Sequence, residues 1–204
     1  MIKSKIPYFI IGLLLAFILL YSFSGNHDAG KSEDLGTWRT MKDQYFREEA
    51  DSPLTEDQKK EFRGLIYFEE NPDFRIIADW HPLNEKDVLT LKTTNDGQRA
   101  YWKYGIARFM LNDTPCELLV LKPVDIPDQD YLFLPFYDNT SGLTTYGGGR
   151  YVEPDLMNSG KILIDFNRAY NPYCAYNKKY RCPIPPLQNN IKVAVEAGEK
   201  NFDF

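Results

Sequence analysis

Histidine and cysteine are scarce in this chain. There are two histidines and three cysteines in 204 residues. No H-E-x-x-H occurs, and no serine stands in a G-x-S-x-G setting, so two familiar hydrolase signatures are missing. No histidine lies near the cysteines in sequence, and a zinc site needs more ligands than they supply. A surplus of positive charge is also lacking. The net charge of −5 leaves no basic face for phosphate, so a nucleic-acid partner is not expected. There is no block of like charges and no repeat of fixed period. No G-x-x-x-x-G-K-[ST] is present either, which removes the nucleotide P-loop.

The chain does have apolar residues, at 43%, enough for a core, and an aromatic share of 15%. That share suits strands and a half-wet cleft better than a helical bundle. After the lysines of MIKSK, residues 6–23 run without a charge. As a helix this run would reach about 27 Å, close to the hydrocarbon thickness of a bilayer. The basic flank then stays in the cytoplasm, which puts the C-terminal domain outside it, on the periplasmic side of the cell membrane. Neither an A-x-A cleavage pattern nor a lipoprotein cysteine follows, so an uncleaved single-pass anchor is expected, with a cleaved export signal as the alternative. The expected divisions are 1–25 (cytoplasmic tip and anchor), 26–36 (polar linker) and 37–204 (one extracytoplasmic domain).

Within 37–204, Trp38, Met41 and Tyr45 fall on one stripe of an amphipathic helix. Asp51-Ser52-Pro53 stops it, and Thr55 with Gln58 forms a capping box for a second short helix. From Leu65 the apolar period becomes two. LIYFEE, FRIIADW, DVLTLKT, RAYWKYGIARFML, CELLVLK, YLFLPF, KILIDF and IKVAVEAG read as strands, with RAYWKYGIARFML bent at Gly105 and a hairpin at Asn95-Asp96-Gly97. YLFLPF and KILIDF are continuous apolar runs, expected to be buried on both faces. In the last segment Ile191, Val193 and Val195 point inward and Lys192 and Glu196 outward. The expected fold is mainly β (α+β): an antiparallel barrel or sandwich of about eight strands, with two short N-terminal helices, preceded by one transmembrane helix.

Two segments carry the chemistry. In DNTSGLTTYGGGRYVE, Gly147, Gly148 and Gly149 can turn backbone N–H groups inward beside Arg150. Asp138, Thr140, Ser141, Thr145 and Tyr146 surround them. Arg150 can fork onto a carboxylate or phosphate; alternatively it pairs with Asp138 or Asp165. The second segment, Asp165–Asn190, holds four prolines and little periodicity. A long loop of this kind is commonly functional. Asp165, Asn167, Tyr170, Asn171 and Tyr176 are its candidates. Convergence of Asp138 and Asp165 would allow calcium or magnesium ligation or acid–base work, but the spacing matches no calcium loop, and no metal or cofactor is assigned. Cys174 and Cys182 are candidates for a disulfide, which would contribute about 2–3 kcal/mol in the chain-entropy model. Cys116 reads as a buried free thiol. A Cys–His nucleophile would require His81, which reads as an ordinary loop histidine; His27 lies in the linker.

The segments DSPLT at Asp51, FRGLIYFEENPDFR at Phe62, YGIARF at Tyr104, LFLPFYDNTSGLTTYGGGRYV at Leu132 and LIDFNRAYNPYCAYNKKYRCPIPPLQNNIKVAVEAGEK at Leu163 resemble a bacterial and archaeal family catalogued as domain-of-unknown-function family 1684. The likeness runs from the first helix to the C-terminus and leaves out residues 6–23. Where many members have NPPC, this chain has Asn171-Pro172-Tyr173-Cys174. The resemblance implies no activity. Three roles are therefore carried forward. The first is binding of a small polar or anionic ligand by the 138–150 and 165–182 loops. The second is a carboxylate hydrolase using Asp138 and Asp165, and the third a structural envelope protein without a small ligand. The oligomeric state is not legible, and the lipid bilayer is the partner of residues 6–23.

Overall fold

The computed structural model describes residues 34–83, 87–126 and 131–202. Leu35–Phe204 form one compact unit. The expected transmembrane run 6–23 lies outside the described residues, and among those described no helix is long and apolar enough to cross a membrane.

Helix α1 spans Leu35–Glu48. Its inward stripe is Leu35, Trp38, Lys42 and Phe46, whereas Met41 is 55% exposed. Helix α2, Glu56–Glu61, opens with the capping box of Thr55 and Gln58. Phe46, Leu54 and Phe62 pack with Tyr176 in a small cluster that ties both helices to the C-terminal loop.

Six strands make one antiparallel sheet: β1 (Arg75–Pro82), β2 (Val88–Lys92), β3 (Gln98–Leu111), β4 (Thr114–Pro123), β7 (Asp155–Met157) and β8 (Lys161–Asp165). β5 (Leu134–Phe136) and β6 (Arg150–Val152) form a separate pair. β3 is the spine. One of its edges carries β2 and then β1, the other carries β4 along most of its length. The register shifts between Lys103 and Gly105, where the sequence predicts a bend. The β2–β3 turn has Asn95 and Asp96 at positive φ, and Thr93 N–H donates across it to Gly97 O at 2.8 Å.

The sheets do not close into a barrel, contrary to the expectation of a barrel or sandwich. A closed barrel needs continuous ladders all round. Here β7 ends the sheet as a three-residue edge strand whose residues are all exposed. On the far side of β4, the buried Asn189 amide takes a strand's place. Its Oδ1 accepts the Leu119 N–H at 2.8 Å and its Nδ2 donates to Leu119 O at 2.8 Å.

Burial differs from the strand reading in three places. β4 is buried on both faces: Leu118 and Val120 join the main core, while Leu119 and Leu121 join a second cluster with Tyr101, Phe133 and Tyr151. β8, by contrast, alternates, with Ile162 and Ile164 inward. Residues 191–197 show the expected alternation of buried and exposed side chains but belong to no ladder. The Lys192 and Val193 carbonyls accept from Asn139, and those of Val195 and Ala197 from the Arg150 side chain.

Candidate functional site

The loop after β5 is organised by Asp138. Its Oδ1 accepts the Thr140 N–H at 2.5 Å and also the Thr140 hydroxyl, while its own N–H donates to Ser141 Oγ at 3.1 Å. The Thr140 and Thr145 hydroxyls meet at 2.9 Å. Arg150 opens β6 opposite Phe136 and turns inward, with 1% of its surface exposed. Its Nη2 donates to Asp138 Oδ2 at 2.6 Å and to Val195 O at 2.8 Å. Its Nη1 donates to Ala197 O and, at 3.2 Å, to Glu199 O. Burial pulls the guanidinium pKa down, and Asp138 opposes that effect. The arginine is thus engaged within the protein, in the pairing with Asp138 that its sequence context allows.

Of the three glycines, only Gly149 has a positive φ, and a Cβ there would stand 2.7 Å from Phe136 O. Gly147 and Gly148 do not form a run of left-handed residues. The 138–150 and 165–182 loops do touch: the Tyr146 hydroxyl lies 3.8 Å from Cys174 Sγ.

Asp165 ends β8 and caps a 3-10 turn, accepting from Asn167 N at 3.1 Å and Nδ2 at 3.0 Å. Its cationic neighbours are Arg75 at 3.9 Å and Arg168 at 4.0 Å. Asn167 also pairs with the Asn71 backbone through both ends of its amide. Asn171 donates its N–H to Glu199 Oε2 at 2.8 Å and its Nδ2 to Lys200 O at 2.8 Å. Asp138 and Asp165 share no bonding partner. Among the described residues no group of three or more His, Cys, Asp or Glu side chains is placed to hold a metal.

A second constellation forms where α1 meets the 165–182 loop. Glu199 is 1% exposed. Its carboxylate takes the Tyr176 hydroxyl at 2.5 Å, the Asn171 N–H, and Lys42 Nζ at 2.6 Å. Lys42 also sits 4.5 Å from the Tyr170 ring centroid and 5.3 Å from that of Trp38. Tyr170 is half-buried, and its hydroxyl donates to Glu153 Oε1 at 3.0 Å. Glu153 is exposed as a residue, yet the protein crowded about its carboxyl raises its pKa; the Tyr170 hydrogen bond and Lys42 pull the other way. Tyr131, also half-buried, hydrogen-bonds with Tyr170, and burial pushes its phenol up to about 12. Water reaches this edge, in contrast to the sealed Arg150.

Lys42, Tyr131, Glu153 and Glu199 are absent from the candidates predicted by sequence. A signal existed for Lys42. It stands four residues from both Trp38 and Phe46, and a lysine on an inward stripe calls for a buried carboxylate. Nothing local in GEK distinguishes Glu199.

Cys116, Cys174 and Cys182 are free thiols in this structure. Cys174 and Cys182 are nonetheless neighbours, because the Cys174 N–H donates to Cys182 Sγ at 3.0 Å.

A family model described as "Protein of unknown function (DUF1684)" matches residues 60–200. Among solved structures, the chain is similar to an uncharacterized protein of Haloarcula marismortui determined by solution NMR. The two share 35% identity with a TM-score of 0.65, over 81% of this chain and 91% of the other. No curated protein matches.

Proposed function

Since the chain belongs to the DUF1684 family of proteins of unknown function, we propose its role from its own geometry: it binds a small hydroxylated ligand, of the sugar or polyol class, at the edge formed by Lys42, Tyr131, Glu153 and Tyr170. The observation that carries this reading is the Glu153 carboxyl, exposed but crowded by protein and already accepting one hydroxyl, that of Tyr170. A carboxylate beside aromatic faces suits a molecule with hydroxyl donors and a nonpolar side. An anion is less suited. Lys42 is already bonded to Glu199, and Asp155 adds negative charge near Glu153.

The inward Arg150 and Asp138 support a scaffolding role for the 138–150 loop. Asp138 is a poor candidate for hydrolase chemistry, because its carboxylate already accepts Thr140 and Arg150 in a dry setting. A purely structural protein is the second reading. It is favoured by the burial of Thr140, Thr145, Asn167 and Asn171. Export from the cytoplasm belongs to the same proposal, supported by the basic start and the charge-free run 6–23. A periplasmic reporter enzyme fused at the C-terminus tests it by its activity.

Binding is tested by thermal shift of the full chain against monosaccharides, polyols, small amines, phosphate and sulfate. A hydroxylated compound should raise the midpoint, and Glu153→Gln and Tyr170→Phe should each abolish the rise. A panel without any shift would favour the structural reading. A shift by phosphate alone, unaffected by Glu153→Gln, would also overturn the proposal.

A further inference from the structure

The binding edge makes no use of the two neighbouring thiols. Cys174 lies in a 3-10 turn, Tyr173–Ala175, and is half-buried; Cys182 is buried. Both flanks are held. Cys182 N–H donates to Thr94 Oγ1 at 3.0 Å, and Thr94 N–H donates to Cys182 O at 2.9 Å. On the other flank, Ala175 N–H donates to Pro172 O at 2.8 Å. The Cys174 N–H that bonds Cys182 Sγ is three covalent bonds from its own sulfur. The two sulfurs are therefore near neighbours. Among the described residues Cys116 has no such neighbour: its thiol donates to Thr114 O at 3.5 Å, within its own strand.

We propose that Cys174 and Cys182 form a redox-active pair, in which Cys174 attacks small-molecule disulfides and Cys182 resolves the mixed disulfide. In the first step the Cys174 thiolate attacks one sulfur of R–S–S–R. The S–S bond breaks, and one R–S⁻ leaves and is protonated. Cys182, on losing its proton, then attacks the Cys174 sulfur and expels the second thiol. Two protein thiols become one disulfide, and the small disulfide takes up two electrons and two protons to give two thiols.

Exposure decides the order, since only Cys174 meets solvent to an appreciable degree. Hydrogen bonding agrees with it. The Cys182 thiol, and after it the Tyr146 hydroxyl, stabilise a Cys174 thiolate and hold its pKa below the ordinary thiol range; the same pairing pushes Cys182 up. Oxidation would close the 174–182 loop against the Thr94 turn.

The test is to incubate the full chain with oxidised glutathione, quench with iodoacetamide and map the peptides by mass. The wild type should yield a Cys174–Cys182 disulfide with Cys116 alkylated. Cys182→Ser should retain glutathione on Cys174, and Cys174→Ser should carry none on Cys182. Alkylation of Cys174 at pH 7 should slow several-fold in Cys182→Ala, which removes the donor to the Cys174 thiolate; a merely structural neighbour would not cause this. No intramolecular disulfide in the wild type at any glutathione ratio would overturn the proposal, as would an adduct on Cys182 in preference to Cys174. The wild-type map stands even where a variant fails to fold.

Discussion

Arg150 Nη2 lies 2.6 Å from Asp138 Oδ2, and neither side chain is exposed. Its two Nη atoms also donate to the carbonyls of Val195, Ala197 and Glu199, while its buried Nε has no partner among the described residues. One guanidinium therefore joins the β5–β6 pair to a C-terminal segment that has no strand partner. Such a pair is favourable only as a complete unit, because either charge left alone in a dry interior is costly.

Arg150→Ala should destabilise the fold by about 3–5 kcal/mol, since it strands the Asp138 carboxylate and three carbonyls. Arg150→Lys should recover little. An ammonium lacks the planar fork that serves four acceptors at once. Urea unfolding followed by tyrosine fluorescence measures both; near-wild-type stability of Arg150→Lys would contradict the fork argument.

The glycine run should respond position by position. At Gly147 an added Cβ would find its nearest neighbour at 3.5 Å, an ordinary contact, so Gly147→Ala should be nearly neutral. Gly149→Ala should cost about 1–3 kcal/mol, because φ is +82° and Phe136 O stands 2.7 Å away. Gly148→Ala would press on the Tyr146 ring and displace it from Cys174. Thermal midpoints of the three variants give the ranking.

Asn189 stands in for a strand at the edge of β4, and Pro135 O is its further acceptor at 2.8 Å. Asn189→Ala should cost about 2–4 kcal/mol, as buried backbone groups of Leu119 and Pro135 lose their partners. Asn189→Asp should also destabilise at neutral pH, where a carboxylate would face the Leu119 and Pro135 carbonyl oxygens. Acidification that protonates the new carboxyl should recover part of that loss, measurable as a narrowing gap to the wild type.

Glu153 provides the pH test. Its folded pKa is raised, chiefly by crowding. The folded state then holds its proton over a range in which the unfolded chain has lost it. Stability is consequently penalised as pH rises from the ordinary glutamate value of 4.5 through the raised one, and the full penalty persists above that. Glu153→Gln should stabilise the protein at pH 7 by no more than about 1 kcal/mol, because solvent screens an exposed group. At pH 3 the gain should vanish. Paired unfolding curves at the two pH values decide it, and a gain confined to low pH would contradict the sign.

Much of the local structure was legible in the residues. Asn95-Asp96-Gly97 forms its hairpin turn, Thr55 and Gln58 form their capping box, and the β3–β4 register shifts next to Gly105. These features rest on contacts within a few residues, which short motifs encode. The alternation of Ile191, Val193 and Val195 was equally plain, and it does describe what is buried. Strand membership is a different matter. It depends on which partner meets the carbonyls, and for Val195 that partner is Arg150, some 45 residues away along the chain. The inward stripe of α1 was obscured for a related reason: Lys42 looks solvent-facing until Glu199 is found against it.

By themselves, the residues determined family membership, mainly-β composition, the two N-terminal helices and the two loops that meet. Only the tertiary structure decided that the sheets stay open, that Arg150 is sealed with Asp138, and that the wet aromatic edge belongs to Lys42, Glu153 and Tyr170. The physical reason is that turns, caps and burial periodicity are set by near neighbours. Whether a charge is spent inside the fold or left for a ligand depends on partners that the chain brings together only by folding.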